Sequence, residues 1–311
     1  MACGASDPMN PEQADDWKDA VLNDVFEAIA ASEALNSILI FKGARVLARY
    51  LPDTARQSLD IDANCTREFL ERFPERASRA EWIERELAIA ISRHFEAQNP
   101  VTKALDSVRV SPQPPKAHPL GWDAFEVRFR INDLGRASQR GVPALQLDIA
   151  SPEALTEHST SKLSVGAQRV RAYTLERITG EKLRAFLSST PAHQEKIART
   201  GVLRVKDLYD LARIVASVQV EPGEFWNQVC VEFRMACESR GVSCSGWTTF
   251  DAVADLAKGL YDKEPTLPKD LSFEVSWAAV KSIVNYLERQ RVTPFEFPLP
   301  LGATAGSVGK S

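Results

Sequence analysis

Two aspartates, Asp60 and Asp62, stand two residues apart in the stretch RQSLDIDAN, residues 56–64. In an extended strand, positions i and i+2 share one face at about 6.6 Å along the axis. Both carboxylates then project together, while Leu59 and Ile61 turn toward a core. Carboxylates this close repel unless a cation lies between them. A divalent metal is the natural partner, because Mg²⁺ takes one or two carboxylates together with phosphate oxygens. Two such ions can activate an attacking oxygen and stabilise a leaving one. Asp148, in the alternating run Leu145–Gln146–Leu147–Asp148–Ile149, offers a third carboxylate. Three acids on neighbouring strands meet the needs of metal-assisted phosphoryl transfer. Taken alone, an Asp-x-Asp pair also reads as two exposed acids at a strand end.

These acids need strands to hold them. Ile38–Phe41 reads as a short buried strand, Gly43 permits a tight exit, and residues 44–51 read as a helix stopped at Pro52. Residues 57–63 return as a strand. A helix over 13–32 precedes them and is broken at Asn36 and Ser37, and helix dominates 66–97. Phe125–Arg130 alternates with period two, as does Leu145–Ile149, and Val108–Val110 adds a strand. Beyond residue 160 the pattern is helical, with helices expected over 176–188, 204–218, 223–239, 249–260 and 273–290. Residues 1–12 are expected to be loose.

The run FKGARVLARYL followed by RQSLDIDAN, and further on ERITGEKLRAFL followed by LRVKDLYDLARI, resembles the AbiEii-type nucleotidyltransferase toxins of the DNA polymerase β-like superfamily. The resemblance covers about residues 38–215 with its parts in the family's order. It implies an α+β fold: a polymerase β-like nucleotidyltransferase domain with a mixed sheet over 1–155, then an all-helical domain over 156–293. A tail over 294–311, rich in Pro, Gly and Ser, is expected to be disordered. The implied activity is metal-dependent transfer of NMP from an NTP to an acceptor, RNA or tRNA in some relatives, by a toxin paired with an antitoxin.

By position, the resemblance assigns Asp60, Asp62 and Asp148 to Mg²⁺ or Mn²⁺. It assigns Lys42, Gly43, Arg56, Ser58 and Lys182 to the nucleotide, where Arg45 is expected as well, and adds Asp207 and Asp210 to the catalytic set. One departure stands out. The family carries a second glycine and then Ser or Thr after Lys42–Gly43, where this chain has Ala44 and Arg45; Arg45 can hold a phosphate as a forked cation. A catalytically weak module that binds a nucleotide or a partner is the alternative. The last motif also has a structural reading, with Lys206–Asp210 and Arg204–Asp207 as helical ion pairs and Lys182 as a solvated residue.

The rest of the composition narrows the choice. The chain has 311 residues, 44% of them hydrophobic, and a net charge of −4. Between Lys162 and Arg213, eleven basic residues face five acidic ones, a local excess that reads either as a solvated helical face or as a groove for phosphates. His94, His118, His158 and His193 show no zinc spacing. The five cysteines include no Cys-x-x-Cys pair, and Cys230, Cys237 and Cys244 recur every seven residues as on one helical face. A reduced, cytoplasmic setting is expected, with no secretory signal and no membrane span.

Overall fold

The computed structural model describes residues 9–52, 56–116, 123–136, 138–196 and 201–297. His118 and Arg199 lie outside them. The chain forms two compact units, each drawn from separated stretches. The first unit comprises the N-terminal part up to Val46, Gln57–Pro152 and Ser161–Ala172; the second comprises Leu47–Arg56, Glu153–Thr160 and the chain from Tyr173 onward. A single cut after residue 155 therefore does not describe the organisation.

In the first unit, helix α1 (Pro11–Ala31) starts from a reciprocal cap: Asn10 accepts from the Gln13 amide, and Gln13 reaches back to the Asn10 amide. Val21, Leu22, Val25, Phe26 and Ile29 are fully buried along one stripe. The expected break at Asn36 and Ser37 falls inside α2 (Glu33–Ile38), because Ser32 restarts the helix by capping Leu35. Strand β1 (Leu39–Lys42) leads into α3 (Gly43–Tyr50), then β2 (Ile61–Cys65), α4 (Arg67–Arg72) and α5 (Arg76–Glu96). The helix expected over 66–97 is thus two helices, parted where Pro74 withholds an amide hydrogen.

Strands β3 (Lys103–Gln113), β4 (Ala124–Asp133), β5 (Leu145–Ala150), β6 (Thr160–Val165) and β7 (Gln168–Tyr173) complete a seven-stranded mixed sheet ordered β3-β4-β5-β2-β1-β7-β6. Phe125, Val127, Phe129, Leu145, Leu147 and Ile149 are buried on one face. That face packs under α1 and α5, with Phe26 and Phe41 in ring contact at 4.7 Å and Lys103 of β3 paired to Asp24 of α1. The alternate residues Glu126, Arg128, Arg130, Gln146 and Asp148 occupy the opposite face. The hairpin of β6 and β7 corrects the expectation that the chain is helical beyond 160.

In the second unit, α6 (Leu175–Ser188), α7 (Pro191–Lys196), α8 (Val205–Ser217), α9 (Glu224–Arg240), α10 (Trp247–Asp251), α11 (Ala254–Tyr261) and α12 (Phe273–Arg289) form a bundle in which α6 packs on α8 and α9, and α12 on α8. Arg177 of α6 is wholly buried against Glu153, Glu181 and Glu232. Cys230 and Cys237 lie on α9, but Cys244 lies beyond it and pairs by backbone with Phe295, so the expected disorder does not extend to 294–297. Residues 298–311 lie outside the described residues.

Helix α6 packs tightly on α9 at Gly180, where an added Cβ would stand 2.7 Å from the Phe233 amide nitrogen. Backbone cannot yield as a side-chain tip can, so Gly180→Ala is expected to lower stability by about 1–3 kcal/mol, the usual cost of overpacking. Chemical denaturation of the purified variant measures this; an unchanged midpoint would mean that the helices can part at no cost.

Candidate active site

Register brings the carboxylates together. Strand β1 pairs antiparallel to β2 with Lys42 opposite Asp62, and β2 pairs parallel to β5 with Asp62 opposite Asp148. On the far side of β5, Glu126 of β4 stands opposite Asp148. Partners directly opposite share a face, so Lys42, Asp62, Asp148 and Glu126 form one row across four strands. Asp60 does not share a strand with Asp62, as the sequence suggested; β2 begins at Ile61, and Asp60 sits in the bend before it. It still reaches the others, and one oxygen from each of Asp60, Asp62 and Asp148 lies within 4.8 Å of the other two.

Asp60 and Asp148 each have a hydrogen-bonding support, and Asp62 lies against a glycine turn. The Ser58 hydroxyl lies within reach of the Asp60 carbonyl at 3.1 Å and the Asp60 carboxylate at 3.2 Å. Arg45, 5% exposed, donates to the Asp60 carbonyl at 3.4 Å and to the Ser58 carbonyl at 2.5 Å. Asp19 and Asn23 of α1 hold the same guanidinium, each at 2.8 Å. Gln146, two residues before Asp148 on the same face, donates to both Asp148 oxygens at 3.0 Å. Gly43 adopts a left-handed backbone (φ +78°), and a Cβ there would stand 2.0 Å from the Asp62 carboxylate oxygen Oδ2. Glycine is thus what lets the Asp62 side chain lie against the β1–α3 turn.

Arg45 and Ser58, expected at the triphosphate, bond to protein acceptors in this structure and support Asp60. Ala44 is buried at 9% exposure, so its Cβ belongs to the core. Burial raises the Asp148 carboxyl above the usual aspartate range; the Gln146 hydrogen bond and Lys42 oppose this, and the negative charges of Asp60 and Glu126 add to it. Ionising all three acids thus carries a cost that a cation would relieve. The donor set is entirely carboxylate oxygen, which suits a hard divalent ion.

Gly43→Ala is expected to cost about 1–3 kcal/mol, the range for a non-glycine residue held in a left-handed conformation. It should also push Asp62 out of the cluster. Thermal melts with and without Mg²⁺ separate the two effects, and a variant whose Mg²⁺-induced shift equals the parent's would show that Asp62 had not moved.

The remaining motif residues meet within the second unit. Lys182 of α6 donates to Asp210 at 2.6 Å and to Asp207 at 3.2 Å, both on α8. Arg56 grips Asp210 through two parallel hydrogen bonds of 3.0 Å, and Arg204 donates to Asp207 at 2.7 Å. Lys182, Asp207 and Asp210 are 7%, 1% and 3% exposed, so Lys182 is not the solvated residue its default reading gives. Arg56, assigned to the nucleotide, is the forked partner of Asp210. Lys206 pairs with Glu264, not with Asp210, whereas the Arg204–Asp207 pair stands as read.

Burial by itself would raise the Asp207 carboxyl, but Lys182 and Arg204 outweigh it and hold the group down at about 2. A depressed carboxyl stabilises the fold above its unfolded value and loses that contribution as pH falls through the folded one. Asp207→Asn should therefore flatten the loss of stability between about pH 4 and pH 2. An acid titration followed by circular dichroism checks this, and the idea fails if variant and parent lose stability in parallel over that interval.

The basic stretch is also corrected. Arg177, Lys182, Arg184, Arg204, Lys206 and Arg213 are all in ion pairs inside the second unit. The helical part of that excess is largely neutralised within the fold. Gln146 and Glu126 escaped the sequence reading, although both carry the period-two alternation that marks Asp148. Among the described residues no helix is long and apolar enough to cross a membrane.

The architecture matches solved structures at low sequence identity. JHP933 from Helicobacter pylori aligns with a TM-score of 0.52 at 13% identity, over 91% of this chain and 94% of that one. A nucleotidyltransferase of the same organism, so described from its crystal structure, aligns with a TM-score of 0.51 at 12% identity, over 91% and 97%. MenT4, a nucleotidyltransferase toxin of Mycobacterium tuberculosis, aligns at 0.49 and 14% identity, over 88% and 87%. No curated protein matches the sequence. The profile of the nucleotidyl transferase AbiEii toxins, the toxins of type IV toxin–antitoxin systems, matches residues 25–279. With most of its length under that profile and the α+β fold to match, this chain belongs to the AbiEii nucleotidyltransferase toxin family.

Proposed function

We propose that this nucleotidyltransferase moves NMP from an NTP onto an RNA acceptor and releases pyrophosphate, with Mg²⁺ or Mn²⁺ held by Asp60, Asp62 and Asp148. The observation that carries the reading is the convergence of three carboxylate oxygens within 4.8 Å, with the Asp60 and Asp148 side chains held by hydrogen bonds from Ser58 and Gln146. The bound metal would polarise the α-phosphate and favour ionisation of the acceptor hydroxyl.

The chain's own residues do the rest. Asp148 would take the acceptor proton. Lys42, at the end of β1, and the backbone amides that open α3 after Gly43 supply positive charge for the triphosphate. Arg45 and Ser58 keep Asp60 in place while charge builds on the transferred phosphoryl group. Lys182 is assigned to the nucleotide phosphates by family resemblance alone, since its two hydrogen bonds already give it a structural role. A nucleotide substrate and an antitoxin partner follow from the family.

The test is incubation of the purified protein with each α-labelled NTP, Mg²⁺ and total RNA. Label should move to RNA with one NTP preferred, and should not move when Mg²⁺ is chelated. Binding of NTP without transfer to any acceptor would instead support a nucleotide-binding module.

A further inference from the structure

The sheet face that carries the acids also carries exposed cations. One row beyond Glu126 and Asp148, Arg128 of β4 stands opposite Gln146 of β5 on one side and Arg109 of β3 on the other. One row further, Arg130 stands opposite Ser107. All three arginines are exposed. Arg128 and Arg130 are about 7 Å apart along their strand, and Arg109 lies about 5 Å across from Arg128. The row order on this face is therefore carboxylates, then Gln146, Arg128 and Arg109, then Arg130.

Arg128 has one local partner, donating to Glu126 at 2.6 Å. Among the described residues Arg109 and Arg130 make no ion pair. Like charges directly opposite in an antiparallel ladder are destabilising, so the Arg109–Arg128 pairing is a cost to the isolated fold. Protection of a sheet edge does not account for it. Charges guard edges, yet Arg128 and Arg130 lie on the second strand, and the edge amide of Val110 on β3 already donates to Glu84 at 3.0 Å.

Arginine presents a planar fork that matches phosphate oxygens. Exposed cations gain most from a partner with closely spaced charges, which sheds its counterions on binding. We infer that Arg109, Arg128 and Arg130 form a track for the phosphate backbone of a nucleic-acid acceptor, leading its accepting end to Asp62 and Asp148. The inference rests on the nucleotidyl-transfer reading and locates the acceptor on the β3–β4 side of the carboxylates. It replaces the helical stretch, whose cations are paired internally, as the phosphate-binding surface.

The experiment compares the parent with R109Q/R128Q/R130Q, using fluorescence anisotropy of a labelled mixed-sequence single-stranded RNA over a series of salt concentrations. Three lost phosphate contacts should reduce the magnitude of the log K against log salt slope by about 2, at roughly 0.7 per contact for single strands. Transfer to RNA should fall at least tenfold, while the melting shift given by Mg²⁺ plus NTP stays at the parent's value. If the triple variant folds poorly, R109Q and R130Q singly should each lower the slope by roughly 0.7.

The track is overturned if the variant binds RNA with the parent's affinity and slope, if the parent binds no RNA, or if polyglutamate binds the parent as well as RNA does. Its failure is separable from failure of the transfer reading. A variant that transfers nucleotide to RNA as fast as the parent sinks the track alone. A parent that binds RNA through these arginines but transfers no nucleotide sinks the reaction alone.

Discussion

Nucleotide transfer by an Asp62→Asn protein is expected to fall roughly 10²-fold or more, the scale on which loss of one preorganised electrostatic group is felt. Asp62 is central to its row, between Lys42 and Asp148, and its carboxylate lies against Gly43. The amide keeps the size and shape that fit that turn, so the change removes charge without opening a void. In the metal-free state it also removes one of three mutually repelling carboxylates. The melting temperature without Mg²⁺ should equal the parent's or exceed it, and the stabilisation given by Mg²⁺ plus NTP should shrink. Transfer at the parental rate would show that the acids close the sheet face and do no chemistry.

The largest effect on stability is expected from Lys182→Met. Methionine fills the space of the lysine stem but leaves Asp207 and Asp210 buried with one cation fewer. Breaking a buried ion network by removing one partner costs about 3–5 kcal/mol, because the stranded charge has no water to turn to. Arg204 and Arg56 still hold one carboxylate each, so the fold should weaken without collapsing. Urea denaturation measures the difference. A variant as stable as the parent would mean that the Lys182 ammonium contributes nothing to the fold. If NTP affinity then fell under conditions where the variant remains folded, Lys182 would be a nucleotide ligand first.

The grouping of the three carboxylates was legible because its signal is local. Asp62 and Asp148 lie in short alternating segments whose phase fixes the face they occupy, Asp60 sits in the bend before β2 where strand phase does not apply, and Gly43 marks the turn beside them. The supports were not legible. Arg45 looked like a phosphate ligand because its neighbours in sequence reveal nothing of Asp19 and Asn23, which reach it from α1. Arg56 meets Asp210 across 154 positions, and no local pattern announces a partner so distant. The β6–β7 hairpin was missed for a different reason. Strand β6 reads TSKLSV, and as an edge strand it buries only Val165. Alternation weakens where a strand has so little to bury, and the helical signal that follows then extends backward over it.

The placement of β1 in the sheet has a consequence for synthesis. This strand lies between β2 and β7, and it joins β7 through Phe41 and Ala172. A nascent chain that has already delivered Asp60, Asp62 and Asp148 still presents an apolar strand with one edge open, a template for pairing with other chains. Products that terminate before α8 also lack Asp207 and Asp210, leaving Lys182 and Arg56 without their carboxylates. Premature stops should therefore yield insoluble, harmless fragments even when all three acids of the cluster have been translated. Nonsense mutations that relieve toxicity should accordingly be recoverable well downstream of Asp148, as far as the codons for α8.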